Sequence, residues 1–370
     1  MRRLFSFIKK EAVLCIASIA AMISMLAVPP DAAYGSYIDY STLATLFSLM
    51  LVVAGLTSAG MFRVLISVLT RHVTSPRILI LALTLTCFLL SALITNDVAL
   101  ITFVPFTIGL LGTSDHRRLI WTVVTETVAA NLGSLLTPMG NPQNLFLYHY
   151  YDYTAPAFLR EMFPLALLSL GCCLILAFAV PRGTALTQVQ AMGENDWHCR
   201  RAILWSVAFF LCVFCVAGFV PWWLCLALTS LVALCTERNL FVKVDYSLLL
   251  TFVSFFIFVG NVARIEPVSH WIRALLSGRE MFVGALVSQV ISNVPAAAML
   301  APFTEEAHAL LYGVNIGGLG TLIASMASLI SYRRYTAVEG ALRGKYMAVF
   351  SVVNIALLLL LLMISALWLT

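Results

Sequence analysis

Charge is what this chain has least of. Only 11% of its 370 residues are Asp, Glu, Lys or Arg, against 61% hydrophobic, and the mean hydropathy is +0.98. A soluble globular chain carries about 25% charged residues, so water is not the solvent for most of this one. No polar stretch is long and periodic enough to make a separate soluble domain; the longest, 182–201, reads as a loop. No HExxH occurs, and His72, His116, His149, His198, His270 and His308 all fall at the ends of apolar runs or in loops. An intramembrane hydrolase needs a nucleophile–base pair or a metal set inside the membrane, and neither is present. Of nine scattered cysteines, Cys212 and Cys215 form a CxxC within an apolar helix, with no second pair. Packing is therefore expected of them rather than metal or redox work. The expectation is no enzyme, no metal, no cofactor and no nucleic-acid partner.

What is present is apolar sequence in runs of 15–20 residues from end to end, the signature of membrane-spanning helices. Nine crossings are predicted near 13–29, 41–59, 119–149, 162–180, 202–219, 221–236, 246–260, 313–332 and 346–369. Two further apolar segments, 78–112 and 281–303, are interrupted by polar tips and read as hairpins that enter and leave on one side. The basic start followed by an apolar run to Val28 has the look of a signal peptide, but the run is long enough to span. With the N-terminus inside, 18 of the 22 Lys and Arg fall on the inner side; Arg160, Arg264, Arg273 and Arg279 are the outer four. The net charge of +5 is thus a topology signal: basic residues mark the cytoplasmic side. The C-terminus is then expected outside, in a cell (inner) membrane.

The chain also repeats itself. IDYSTLATLFSLMLVVAG from Ile38 matches VDYSLLLTFVSFFIFVGN from Val244; ITNDVALITFVP from Ile94 matches ISNVPAAAMLAP from Ile291; NLGSLLTPMGN from Asn131 matches NIGGLGTLIAS from Asn315. Three matches in one order are a strong repeat signal. Between the first two lies a paired amphipathic segment, with Met61, Val64, Leu65, Val68 and Leu69 on one stripe and Val268, Trp271, Ile272, Leu275 and Leu276 on the other. The spacing suits helices lying in the membrane interface. Counting spans, helix 41–59 and its partner 246–260 run in opposite directions, so the repeat is inverted, which places a transporter's site at the midplane. The fold expected is an all-α polytopic membrane protein of two inverted repeats. Each repeat has a re-entrant hairpin and a discontinuous helix. The domains run 1–35, 36–181 (first repeat), 182–243 (linker loop and two helices) and 244–370 (second repeat).

In hydrocarbon every backbone polar group must be satisfied, so irregular chain at that depth needs burial in protein or a wet cavity. Thr95, Asn96 and Asp97, and Ser292 with Asn293, interrupt the hairpins with residue types that cap helices. The second arm of each hairpin starts there, its positive dipole end pointing inward. Two such ends at the midplane would hold an anion without Arg or Lys, and no Lys or Arg falls inside a predicted span. The 119–149 crossing is too long for one straight helix, and Gly133, Pro138, Gly140 and Pro142 would break it. Freed carbonyls near Asn131, Gly133, Asn315 and Gly317, with Asn96 and Asn293 at the tips, could then coordinate a cation, although glycines there also suit close helix packing. Thr137, Pro138 and Thr321 are expected to line the solute site. Asp97 and Glu126 are intramembrane carboxylates, costly there and so candidates for carrying protons.

At these residues the chain resembles the ion transporter superfamily of divalent-anion/sodium symporters, citrate permeases and arsenite efflux permeases, nearest to YbiR-type inner-membrane permeases. The resemblance spans nearly the whole chain after about residue 36. In the divalent-anion symporters a Ser-Asn-Thr motif at each tip binds sodium and substrate carboxylate. Here the tips are Thr95-Asn96-Asp97 and Ser292-Asn293-Val294: both asparagines carry over, but the final threonine is missing twice, which weighs against dicarboxylate specificity. Asn-Asp at the first tip and Asn-x-Pro at the second are more similar to the arsenite branch, while NLGSLLTPMGNPQN is similar to the break of citrate-type permeases. The resemblance implies a homodimer surrounded by membrane lipid and an elevator movement of hairpins and broken helices. The expected function is secondary transport of a small anion, a carboxylate or inorganic oxyanion, coupled to sodium or protons. Arsenite-type efflux is the alternative, and a passive channel a further competitor.

Overall fold

In the computed structural model the described residues are 11–70, 75–112, 115–181 and 198–369. The basic start and most of the 182–201 loop lie outside them. Every regular element among the described residues is helical. In chain order the helices are α1 (Ala12–Ala27), α2 (Tyr40–Ser58), α3 (Met61–Thr70), α4 (Pro76–Ile94), α5 (Asn96–Leu111), α6 (His116–Gly133), α7 (Pro142–Tyr150), α8 (Ala155–Ala179) and α9 (Cys199–Val216). They continue as α10 (Trp222–Thr236), α11 (Tyr246–Ala263), α12 (Glu266–Leu276), α13 (Glu280–Ile291), α14 (Asn293–Leu300), α15 (Ala307–Ile316), α16 (Met326–Thr336) and α17 (Arg343–Leu369).

Local chemistry sets the starts. Asp39 caps α2 by accepting from the Thr42 N–H, and Asp245 caps α11 by accepting from Leu248, the same position in the repeat register. Proline opens α4 and α7, where its missing N–H costs nothing. A helix–turn–helix forms at each polar tip: α4 turns into α5 at Thr95, and α13 into α14 at Ser292. The long 119–149 segment breaks into α6, two 3-10 turns (Ser134–Leu136 and Pro138–Gly140) and α7. Its counterpart breaks between α15 and α16.

Length separates the crossings into two kinds. Among the described residues seven helices are long and apolar enough to cross a bilayer singly, whereas α1, α10 and the second arms of the hairpins are shorter apolar helices. With 10 and 11 residues, α15 and α16 reach across only as a broken pair. The two hairpins differ as well: α4 has 19 residues and α13 has 12, roughly 28 Å against 18 Å at 1.5 Å per residue. The first arm is thus long enough to traverse the whole hydrocarbon layer.

Each hairpin packs against the first half of its own repeat's broken helix, α4 on α6 and α13 on α15, and its second arm touches the other repeat's post-break helix, α5 on α16 and α14 on α7. The two amphipathic helices meet the protein by a narrow edge. Phe62 and Ile66 of α3, and Ser269 and Leu276 of α12, are the buried residues, while Leu65, Val68, Val268, Trp271 and Leu275 are exposed. Apart from Leu276, the described stripe residues are exposed or partly so, and a narrower edge holds each helix to the protein.

Close approach of hairpin and broken helix depends on two glycines at matching positions. A Cβ on Gly133 would sit 2.1 Å from the Phe88 carbonyl oxygen and 2.4 Å from Ser91 Oγ; one on Gly317 would sit 2.8 Å from Ala285 Cα and 2.9 Å from Ser288 Cβ. Since backbone cannot yield as a flexible side chain can, Gly133→Ala is expected to lower stability by about 1–3 kcal/mol. Gly171, which has nothing within 4 Å of an added Cβ, is the control, and Gly171→Ala should leave the thermal midpoint in detergent unchanged or slightly raised.

Candidate functional site

The two hairpin tips share an unusual backbone. Thr95 has φ 84°, ψ 144° and Ser292 φ 78°, ψ 153°, a region that side-chain-bearing residues occupy only at a cost. Neither side chain caps the helix that follows, so the expected capping role is not what these residues perform. Instead Asn96 Oδ1 accepts from the Asp97 N–H at 2.9 Å, and the Asn293 N–H donates to the Ala324 carbonyl at 3.0 Å. The second arms begin at Asn96 and Asn293, both 5% exposed.

Around the tips the two halves exchange hydrogen bonds reciprocally. Asn131, before the first break, donates to Ser328 Oγ at 3.1 Å and accepts from Ser325 Oγ at 2.9 Å, both in the second half. Asn315, before the second break, donates to Asn144 Oδ1 at 2.6 Å and accepts from Asn141 Nδ2 at 3.2 Å, both in the first half. In the repeat register Asn131 pairs with Asn315, Asn141 with Ser325 and Asn144 with Ser328, so the same two contacts are made twice. Asn96 joins this network by donating to Asn131 Oδ1 at 3.2 Å. Asn293 lies against the second break, where a Cβ on Gly318 would meet its Nδ2 at 2.9 Å.

The two threonines expected to line the site fasten the breaks to the hairpins. Thr137 donates to the Ala92 carbonyl and accepts from Gly140 N at 3.1 Å; Thr321 donates to the Gln289 carbonyl at 3.1 Å and accepts from Ala324 N at 3.2 Å. Pro138 is buried at the start of the second 3-10 turn, and Thr321 is exposed. The structure thus brings Asn96, Asn131, Asn293, Asn315 and the glycine positions into one layer with Thr137.

The acids stand apart from each other. Asp97 is partly exposed in the first turn of α5, within electrostatic range of Asp245. Glu126 is fully buried on α6, five residues or about 7.5 Å of helix rise before Asn131. Its Oε1 accepts from the Thr107 hydroxyl, while Oε2 has no hydrogen-bond partner. Cys87 of α4 and Tyr346 of α17 are the titratable groups facing it, with Cys173 of α8 next to Cys87. A surface cavity of about 660 Å³, lined by Arg160, Glu161, His308, Tyr312 and Trp368 among others, includes none of the tip residues.

Several members of the layer are not singled out from sequence: Asn144, Gln289, Ser325 and Ser328. Gln289 carried a usable signal, a lone amide in an apolar helix three residues before a polar tip, since polar groups in membrane helices rarely lack a task. The serines carried none, because Ser is common at packed helix contacts in membranes.

The strained tips give a direct test. Glycine adopts positive φ without steric cost, so Thr95→Gly and Ser292→Gly should each raise the thermal midpoint, by about 1 kcal/mol after the unfolded-state entropy of glycine is subtracted. A lowered midpoint would mean that the side chains contribute more than the strain removes.

Comparison with known proteins supplies the family. The profile of the family described as "Citrate transporter" matches residues 4–311, ending before the second break. The chain is 34% identical over 302 residues to "Uncharacterized transporter MJ0456" of Methanocaldococcus jannaschii, covering 80% of this chain and 81% of the relative. It is 33% identical over 314 residues to "Inner membrane protein YbiR" of Escherichia coli, covering 80% of each. A shorter match, 33% over 150 residues, covers 40% of this chain and 30% of "Silicon efflux transporter LSI3" of Oryza sativa. With its apolar helices, breaks and paired hairpins, the chain is a multi-pass membrane transporter and not an enzyme; it belongs to the citrate transporter family.

Proposed function

We propose that this transporter carries out secondary active transport of a small anion, a carboxylate or an inorganic oxyanion, across the inner membrane, coupled to sodium or protons. The observation that carries the reading is the pair of hairpin tips. Two helix N-termini without side-chain caps start at equivalent strained turns, and the asparagines that begin them abut the two helix breaks. The positive end of each helix dipole favours negative charge, and here it does so without a cationic side chain that would hold an anion too tightly to release it.

In this account Asn96 and Asn293, with Thr95, Asp97, Ser292, Thr137, Pro138 and Thr321 around them, contact the solute. Cation coordination, if sodium is the coupling ion, falls to the layer of Asn96, Asn131, Gly133, Asn293, Asn315 and Gly317. Proton transfer falls to Asp97 and Glu126. The two repeats are inverted, the N-terminus is cytoplasmic and the C-terminus outside. Hairpins and broken helices of each protomer in a homodimer move as elevators through surrounding lipid. Exchange of one set of contacts for its mirror-related set would then give the inward- and outward-open states. A second reading, efflux of an uncharged hydroxylated solute such as arsenite or antimonite, is favoured by one observation: the side chains of the layer are amides and hydroxyls, able to donate and accept at once. The likeness to a relative named a silicon efflux transporter supports the same branch.

Solute flux into proteoliposomes tests both. Asn96→Ala and Asn293→Ala should abolish flux while leaving insertion and thermal stability near wild type; normal flux in both would remove the tips from the site. If Glu126 carries the proton, Glu126→Gln should flatten the pH dependence of flux between about pH 5 and 8. An unchanged profile would take Glu126 out of the coupling. A panel of citrate, succinate, arsenite and silicic acid separates the anion reading from the neutral one.

A further inference from the structure

Building on the transport reading, we infer that the carbonyl clusters at both helix breaks are occupied by the protein's own amide groups, Asn144 Nδ2 and Gln289 Nε2. They hold the breaks open in the place an alkali cation would take, which leaves the proton as the coupling ion.

At the first break the carbonyl oxygens of Ser134, Leu135 and Thr137 lie 3.3, 3.1 and 3.2 Å from Asn144 Nδ2. At the second, those of Gly317 and Leu319 lie 2.8 and 3.0 Å from Gln289 Nε2, with Ala285 O at 3.1 Å. Each nitrogen therefore sits among three carbonyls, all from the break in the first half, and two from the break plus one from α13 itself in the second; carbonyls freed by a break are what a cation would otherwise coordinate. The amide oxygen could not take that place, because oxygen would then face oxygen with no proton between. Each amide is also tied at its other end. Asn144 Oδ1 accepts from Asn315 Nδ2 at 2.6 Å, and Gln289 Oε1 accepts from the Thr321 N–H at 3.0 Å. Asn144 is wholly buried. Withdrawing either amide would leave carbonyls and a donor unpaired together.

The two halves reach this result from different positions. Leu135 and Leu319 are equivalent in the repeat, but Asn144 stands on the post-break helix α7 while Gln289 stands on the hairpin arm α13. Their counterparts are Ser328 and Ala92, neither of which carries an amide. Duplication of one ancestral residue does not explain an amide at both breaks. A common requirement does: a positive, two-proton donor fixed among carbonyls that hydrocarbon cannot solvate. Asn144 and Gln289 are positioning residues in this sense, standing in permanently for an ion.

The test is thermal unfolding of the purified full-length protein in sodium, potassium and choline chloride at equal ionic strength. The wild type should melt at one temperature in all three salts, and flux in proteoliposomes should persist when choline replaces sodium and vanish when the pH gradient is collapsed. Asn144→Asp and Gln289→Glu exchange the donor for an oxygen of nearly the same size and add a negative charge. Each should acquire a saturable upward shift in melting temperature with sodium or potassium over choline, a readout that a merely structural role would not move. A saturable sodium-dependent shift in the wild type, or flux that requires sodium, would overturn the inference even if the variants do not fold. A chain that moves no solute under any gradient, yet melts independently of the cation, would sink the transport reading while leaving the occupied breaks standing.

Discussion

A helix interrupted in the middle of a membrane exposes peptide groups where no water can reach them, and the organisation of this protein follows from how those groups are satisfied. Both breaks are held by the same three means. A threonine hydroxyl ties each to a hairpin carbonyl, a glycine lets the hairpin approach within contact, and an asparagine before the break is held by residues after the other break. The last is the decisive one. Because Asn131 is fixed by Ser325 and Ser328, and Asn315 by Asn141 and Asn144, the buried side chains at each break find their partners in the other half. An unsatisfied buried group costs roughly 1–3 kcal/mol, and several would be left on each side if the halves parted. The tips and both breaks therefore behave as one unit.

Within that unit the halves are not chemically equal. Asp97 and Glu126 belong to the first; their repeat counterparts are Val294 and Leu310. A transporter with two mirror-related states needs geometric equivalence, which the backbone of the tips provides, but a coupling charge needs only one location. On the proposed reading that location is Glu126, whose carboxylate accepts from Thr107 with one oxygen unpartnered and has Cys87 and Tyr346 nearby.

Much of this was legible in the sequence because the membrane makes polarity expensive. Asn96, Asn293 and the Gly- and Pro-rich run from Asn131 stand out against apolar neighbours, and the repeat register that aligns them also aligns their structural roles, from the Asp39 and Asp245 caps to the turns at Thr95 and Ser292. What could not be seen was which half each polar group serves. Sequence places Asn144 beside Asn141 and Ser328 beside Ser325, but the partners lie 171 and 197 residues away. Capping at the tips was misjudged for a related reason: Thr and Ser are cap-forming types, yet positive φ at the turn leaves both side chains without a capping bond. The stripes of α3 and α12 were recognisable as amphipathic, but amphipathicity does not say whether the apolar side meets protein or lipid.

On the proposed reading the two halves, matched contact for contact at the breaks, stand in opposite orientations across the membrane. Ser67 on α3 and His270 on α12 occupy the interfacial helices of the two repeats, and both are exposed. The measurement is labelling of single cysteines at these positions, in an otherwise cysteine-free protein, with a membrane-impermeant maleimide applied from one side of the membrane at a time. Inverted halves require the cysteine at position 67 to react only from the cytoplasmic side and that at 270 only from the outside. Reaction of both from the same side would contradict the account.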